Sequence, residues 1–264
     1  MARAGAYAEP QIYDFLHTPG TAGELNALER IAERFVDGPC DRLRWLEPGC
    51  GAGRFLRLLG RRGARAVGVD IEAASVEFAN ERLKRLGLNR LAVAVCADMR
   101  TLDRSLGTRA RFDFAFCPHN SVRHLLTERD LARHITAVRR VLSPGGVYAV
   151  GVGLQDPDEP IDGEDLHSAS RRGLKVTELC QYFDALTRRG QERRERVVLH
   201  VTMERREGVR MVESWYDLLC VDPEMWRRCV AGAGMTEVAI VDDQRARDLP
   251  GDRLGYAYRV LKLA

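Results

Sequence analysis

Leu46-Glu47-Pro48-Gly49-Cys50-Gly51-Ala52-Gly53 is the stretch that decides the fold. It ends a short apolar run, Leu43-Arg44-Trp45-Leu46, and leads into a helical pattern from Arg54 to Leu59. Glycines at such a junction permit a tight turn and let another molecule come within contact of the backbone. The dinucleotide fingerprint needs G-x-G-x-x-G. Counted from Gly49 the sixth position is Arg54, and counted from Gly51 it is Leu56, so both registers fail. No Gly-Lys-Ser/Thr follows, which excludes a phosphate loop. What stands is G-x-G-x-G with an acid, Glu47, two residues before the first glycine.

Outward from this loop, apolar runs and helical patterns alternate. Ala66 to Val69 reads as a second strand, Ala73 to Leu86 as an amphipathic helix, Leu91 to Val95 as a third strand and Phe112 to Phe116 as a fourth. A long helix from Glu128 to Leu142 stops at Ser143-Pro144-Gly145-Gly146, and Val147 to Val150 is a fifth strand. Buried strands alternating with helices specify a parallel sheet with right-handed crossovers and helices on both faces. Upstream, Leu25, Leu28, Ile31, Ala32 and Phe35 give Ala22 to Val36 a helical apolar face. Downstream, Gln155 to Asp165 is Pro- and Asp-rich and predicts a loop. Three β-like segments follow, Leu174 to Leu186, Arg196 to Glu204 and Val209 to Leu219, the last two joined by a hairpin connection at Arg205 to Gly208. A helix from Pro223 to Ala233 and strands Glu237 to Val241 and Tyr256 to Leu263 complete the pattern. The expected fold class is α/β, divided into an N-terminal helical cap (1–39), a ligand-binding core (40–153), an inserted antiparallel β flap (154–220) and a C-terminal completion of the core (221–264).

Composition excludes several classes. With 264 residues, 45% hydrophobic and 30% charged, the chain is too apolar to be disordered. No run approaches the roughly 20 apolar residues of a membrane helix, and Met1 to Pro10 lacks the apolar segment of a secretory signal. The 41 basic and 38 acidic residues nearly cancel. Arginine pairs (Arg61-Arg62, Arg139-Arg140, Arg171-Arg172, Arg188-Arg189, Arg193-Arg194) have acids among them, which reads as a salt-bridged surface; nucleic acid prefers a one-signed stripe. The seven cysteines form no CxxC pair and are odd in number, arguing for a reducing, cytoplasmic compartment and against disulfide or zinc frameworks.

Glu47-Pro48-Gly49-Cys50-Gly51-Ala52-Gly53 resembles the first motif of class I S-adenosylmethionine-dependent methyltransferases. Two further acids fall in step with it: Asp70 ends the second strand and Asp98, in Cys96-Ala97-Asp98-Met99, follows the third. Ligands of open α/β sheets bind at the carboxyl ends of strands. The resemblance covers roughly residues 40 to 152 and implies a Rossmann-like class I methyltransferase sheet. It also implies S-adenosyl-L-methionine as cofactor and S-adenosyl-L-homocysteine as product. Asp70 would accept from the ribose hydroxyls, Asp98 from the adenine amine, and Met99 would pack on the ring. Glu47, Gly49, Cys50, Gly51 and Gly53 would line the amino-acid end; Ile71 and Cys117 complete the implied cofactor contacts, with Tyr13 as a gate over them.

Cys117-Pro118-His119-Asn120-Ser121 marks the loop where a methyl acceptor should lie. It lacks the Asp/Asn-Pro-Pro-Tyr/Phe of nucleobase amine methylation and the Pro-Cys order of cytosine C5 chemistry. Asn120-Ser121-Val122-Arg123-His124-Leu125 instead is similar to a stretch of small-molecule N-methyltransferases of the glycine/sarcosine and amino-sugar types, as are Tyr13-Asp14 and the β-rich flap. The glycine type carries an arginine after its fifth strand, whereas Val150 to Gln155 has none, which disfavours a simple amino acid. Asn120 is the candidate for orienting the acceptor, and His119 or His124 the candidate base for an amine proton. No carboxylate is spaced to complete a metal site with these histidines, so no metal is expected. Trp215 is expected to hold the flap to the core, while Tyr182, Phe183 and Tyr216 either wall the acceptor pocket or do the same. A homodimer through the flap would cover the edges of its sheet. The reading is a small-molecule methyltransferase acting at nitrogen, with no nucleic acid or membrane partner. Its alternatives are O- or S-methylation on the same fold, cofactor binding without turnover and, more weakly, RNA methylation.

Overall fold

The computed structural model describes residues 9–107, 109–185, 191–251 and 253–264. Leu186, Arg188 and Arg189, and the N-terminal segment before Glu9, therefore lie outside the described residues. Helices α1 (Pro10–His17) and α2 (Thr21–Phe35) precede β1 (Arg44–Pro48), α3 (Arg54–Arg61), β2 (Arg65–Asp70), α4 (Ala73–Arg85) and β3 (Ala92–Cys96). A short α5 (Leu102–Ser105), β4 (Phe112–Cys117), α6 (Glu128–Val141) and β5 (Leu142–Leu154) come next. Then follow β6 (Asp162–Arg171), β7 (Leu174–Asp184), β8 (Arg194–Arg205), β9 (Gly208–Leu219), α7 (Pro223–Gly232), β10 (Met235–Val241) and β11 (Gly255–Leu263). No helix among the described residues is long and apolar enough to cross a membrane.

A seven-stranded sheet runs β10-β11-β5-β4-β1-β2-β3, parallel except for β11. Its strands are apolar on both faces, as a sheet covered on both sides requires. Trp45, Phe114, Phe116 and Ala149 join the cluster of α2 and α3, with Leu25, Leu28, Ile31 and Phe55. Their neighbours Leu46, Ala115, Cys117 and Val150 join the cluster of α6 and α7, with Leu131, Ile135, Val138 and Trp226. Strand order reverses between β1 and β4, and a crevice opens at the carboxyl ends of strands at such a point. β1 ends there in Glu47-Pro48 and β4 in Cys117. The loop after β1 packs down on β2 at Gly68, where a Cβ would lie 2.6 Å from Cys50 Sγ, so only glycine fits.

Two expectations are corrected here. The Ser143-Pro144-Gly145-Gly146 stop belongs to β5, which begins at Leu142. Between the pairs Phe112–Leu142 and Phe114–Val147, β4 advances two residues and β5 five, so the Pro-Gly-Gly turn is an excursion within a ladder. The loop expected to last until Asp165 gives way to β6 at Asp162. Nearly every β6 side chain is exposed, so the strand carries no hydrophobic signal and is held by its ladder to β7.

Strands β6-β7-β8-β9 form the antiparallel flap, inserted between β5 and α7. Its inner face, with Val176, Cys180, Val197 and Leu199, packs on Ile12 and Leu16 of α1. Trp215 does not attach the flap to the core: it points from the outer face, 40% exposed, with the Arg196 guanidinium 3.9 Å over its ring. Phe183 shares that face at 45% exposure and walls no pocket, whereas Tyr182 and Tyr216 lie on the inner one and pack against its cluster. The attachment is polar: buried Arg123, after β4, donates Nε–H to Leu219 O at 2.8 Å and Nη2–H to Glu195 Oε2 at 2.6 Å.

Candidate active site

The glycine loop is fixed from below. Gly49 and Cys50 donate their N–H groups to Val69 O, at 2.7 and 3.1 Å. Gly51, at φ +49°, donates to Asp70 Oδ2 at 2.7 Å, and Glu72 N–H donates to Asp70 Oδ1 at 2.9 Å. Asp70 thus joins the tips of β1 and β2, with burial raising its carboxyl despite those backbone donors. An ionised carboxylate has about four lone-pair sites, and with Ile71 N–H also donating, about one is left for a ligand. Cys50 is buried beside the loop, its thiol pushed well above the ordinary range by burial, with the charges of Glu47 and Asp70 adding. Gly53 leads into α3 and touches α4: its Cβ would meet Ala79 Cβ at 2.9 Å.

Glu47 is 3% exposed, and its Oε2 has no hydrogen-bond partner among the described residues. Burial pushes this carboxyl well above its usual range; the Arg54 charge opposes the shift, and Asp70 and Glu24 add to it. A buried polar atom without a partner costs about 1–3 kcal/mol. Glu47 therefore fits a ligand bearing a cationic donor. Tyr13 of α1 covers the loop, its ring carbon 3.9 Å from where a Gly51 Cβ would stand. Its hydroxyl is pushed up to about 12 by burial, with Arg54 lowering it and Glu178, Asp70 and Glu47 raising it.

At the β3 end, Asp98 caps the short turn Met99–Thr101, accepting from Arg100 N at 2.8 Å. Both its oxygens also accept from the Arg100 side chain, chiefly from Nε and Nη2 at 2.6–3.0 Å, and these bonds hold its carboxyl below the ordinary range. Met99 is half-buried and its carbonyl accepts from His134 Nδ1 at 2.9 Å, which makes Nε2 the acceptor for the Tyr148 hydroxyl at 2.6 Å. Tyr148 in turn meets Cys117, whose buried thiol is pushed up to about 12. Ile71 is 65% exposed at the tip of β2.

The loop after β4 faces the glycine loop, with Ser121 Cβ 3.3 Å from the position of a Gly49 Cβ. His119 and Asn120 are both left-handed, at φ +55° and +59°, a strained conformation that asparagine tolerates best. Asn120 holds it by donating N–H to Gly151 O at 3.0 Å and accepting Gly153 N–H on Oδ1 at 2.7 Å. The two histidines separate. His119 Nε2 lies 2.7 Å from Glu24 Oε2 and touches Arg54 Nη2, on the side of α2. Burial alone would raise the Glu24 carboxyl, but the bonds from His119 and Arg54 outweigh it and hold it at about 2. His124 lies instead under the flap, its ring 5.0 Å from that of Tyr216.

Sequence reasoning missed Glu24 and Arg54 and the Arg123–Glu195 pair; Asp14, noted only within Tyr13-Asp14, is buried and accepts from Arg57 Nη1 at 3.0 Å and from Arg82. Arg54 carried a signal as a cation opening the helix that follows the glycine loop, whereas Glu24 and Glu195 carried none.

Residues 46–146 match a family model described as a methyltransferase domain. Over 115 residues the chain is 30% identical to a ubiquinone biosynthesis O-methyltransferase of Methylocella silvestris; the match spans 44% of this chain and 41% of that protein. Among the solved structures that match nearly end to end are two sugar methyltransferases. S-adenosylmethionine-bound CalS10, an amino pentose methyltransferase of Micromonospora echinaspora, aligns over 89% of both chains with a TM-score of 0.65 at 23% identity. The sugar N-methyltransferase KedS8 of a Streptoalloteichus species aligns over 90% of this chain and 87% of its own, with a TM-score of 0.67 at 23% identity. Residues 46–146 thus match a methyltransferase domain, and the chain as a whole shares the fold of solved S-adenosylmethionine-dependent methyltransferases.

Proposed function

We propose that the protein transfers a methyl group from S-adenosylmethionine to an amine nitrogen of a small molecule, of the amino-sugar kind. The observation that carries the cofactor half is the unpartnered Glu47 Oε2 beside the Gly51–Asp70 bond. When bound, S-adenosylmethionine supplies a methyl group already activated on a sulfonium sulfur. Glu47 takes the ammonium of its amino-acid end, and Asp70 takes the ribose end. Asp98 reaches the adenine amine by giving up a bond to Arg100, while Met99 borders the ring.

The protein's part is alignment and exclusion of water. Asn120 keeps the acceptor loop on β5, and the flap's inner face, with Tyr182 and Tyr216, roofs the space beside it. An amine reacts only after losing its proton. His124 is the residue assigned to take it, because it faces the flap, whereas His119 is committed to Glu24. Support for nitrogen comes from the end-to-end likeness to CalS10 and KedS8, flap included. The O-methyltransferase relative matches over less than half of either chain. Incubating the protein and methyl-labelled cofactor with a small-molecule extract, read by mass spectrometry, tests the reading. Label on an amine supports it; label on oxygen, sulfur or RNA overturns the nitrogen assignment.

A further inference from the structure

A second cluster of chemically active side chains lies away from the strand tips, between the flap and α1. The ligand atoms of His167, Glu178 and Cys180 all fall within 4.8 Å of one another. His167 of β6 pairs directly with Glu178 of β7, and Cys180 lies two residues further on, so both β7 side chains leave the same face. That face packs on Ile12 and Leu16 of α1, leaving Glu178 only 4% and Cys180 only 6% exposed. From α1, His17 brings Nε2 to 3.4 Å from Glu178 Oε1, and its ring centroid lies 5.8 Å from that of His167.

His17 pairs with Glu178 and the Cys180 thiol bonds to the same carboxylate, so two imidazoles and a thiol converge on one buried acid. We propose that His167, Glu178 and Cys180, with His17 as fourth donor, form a zinc-type metal site that joins the flap to α1. Two nitrogens, one carboxylate oxygen and one sulfur suit tetrahedral Zn2+ and are too soft a set for Mg2+ or Ca2+. Tetrahedral bonds of the usual lengths put donors about 3.5 Å apart. The present separations, up to 4.8 Å, exceed that spacing, so uptake requires the side chains to draw together.

The proton balance is simple. Burial and the neighbouring Glu178 charge push the Cys180 thiol up to about 12, so without a cation the sulfur keeps its proton. Metal binding breaks the S–H bond, forms a sulfur–metal bond and releases that proton to solvent, so uptake weakens as pH falls. The His17 ring lies 4.3 Å from that of Tyr13, the residue over the glycine loop.

The test uses the full chain stripped by a chelator and titrated with Co2+, then Zn2+. The expected result is one Co2+ per chain with a thiolate-to-cobalt charge-transfer band, displaced by Zn2+. The band disappears in Cys180→Ser and persists in Cys229→Ser, and Zn2+ affinity falls by at least about tenfold in His167→Ala. A wild-type titration with no such band overturns the proposal, as does a band that survives Cys180→Ser. Should Cys180→Ser not fold, His167→Ala decides, because His167 is exposed on the edge strand; unchanged Zn2+ affinity there also overturns the site.

Discussion

Arg123 and Glu195 are buried against each other, Nη2 to Oε2 at 2.6 Å, and this one pair connects the loop after β4 to the second-last strand of the flap. Gln155 Nε2 donates to the same oxygen at 2.9 Å, so the end of β5 shares the anchor. Charge, loop and roof of the proposed acceptor space therefore meet at one carboxylate.

Breaking this pair from one side strands a buried charge, which costs about 3–5 kcal/mol. Arg123→Met is expected to lower the unfolding free energy by that amount in urea titrations. Adding Glu195→Gln removes the stranded charge and should restore a large part of it. A single-variant loss under about 1 kcal/mol would mean the pair anchors nothing.

Asp70 bears on the cofactor directly. Asp70→Ala removes the acceptor for Gly51 N–H and the proposed ribose contacts, and S-adenosylhomocysteine affinity should fall by about 1–3 kcal/mol in calorimetry. Asp70→Asn keeps an oxygen for Gly51 and should lose less. Equal affinity in wild type and Asp70→Ala would remove the residue from the site.

His134 gives the fold a pH dependence. Burial lowers its imidazole from 6.5 to about 4, against the opposing backbone bond to Met99 and the Asp98 charge. Between those values the unfolded chain binds a proton that the folded chain does not. The stability owed to neutral His134 is complete above pH 6.5 and is lost as pH falls towards 4, at up to about 1.4 kcal/mol per pH unit. Urea midpoints measured across that window should fall in the wild type and fall less steeply in His134→Gln.

The two faces of β9 should separate in kinetics. Tyr216→Ala removes one aromatic wall of the proposed acceptor space, worth about 0.5–1.5 kcal/mol, and should raise the acceptor's KM roughly two- to tenfold with cofactor affinity unchanged. Trp215→Ala, on the outer face, should alter neither. The opposite pattern would place the acceptor outside the flap.

How much of this was legible in the sequence follows from the range of each signal. The strand tips were readable because Glu47, the glycines and Asp70 each sit at the end of an apolar run that marks its own strand. The alternation of Trp215 and Tyr216 revealed a strand but not which side of it faces the protein, so the wrong aromatic was chosen as the anchor. β6 was missed because its exposed side chains carry no apolar period, and its cohesion is a backbone ladder. Arg123 and Glu195 stand 72 residues apart, and nothing local marks either as the other's partner. His119 and His124, five residues apart, looked equivalent until the left-handed turn at His119 and Asn120 sent them to opposite sides of the loop.

That separation gives the sharpest kinetic expectation. If His124 takes the amine proton, His124→Gln should lower kcat by about 10²–10⁴-fold and abolish the loss of kcat/KM on the acid side, where a protonated imidazole no longer accepts. His119→Gln should leave that limb in place. Its effect should appear in stability, because Glu24 loses one of the two donors that hold its carboxyl at about 2. A carboxyl lowered by folding contributes stability that is complete above its unfolded value of 4.5 and is lost as pH falls towards 2. The wild type should therefore lose more stability than His119→Gln between pH 4.5 and pH 2. An acid limb missing from His119→Gln and intact in His124→Gln would reverse the assignment, making the Glu24–His119 pair the base and His124 a support for Tyr216.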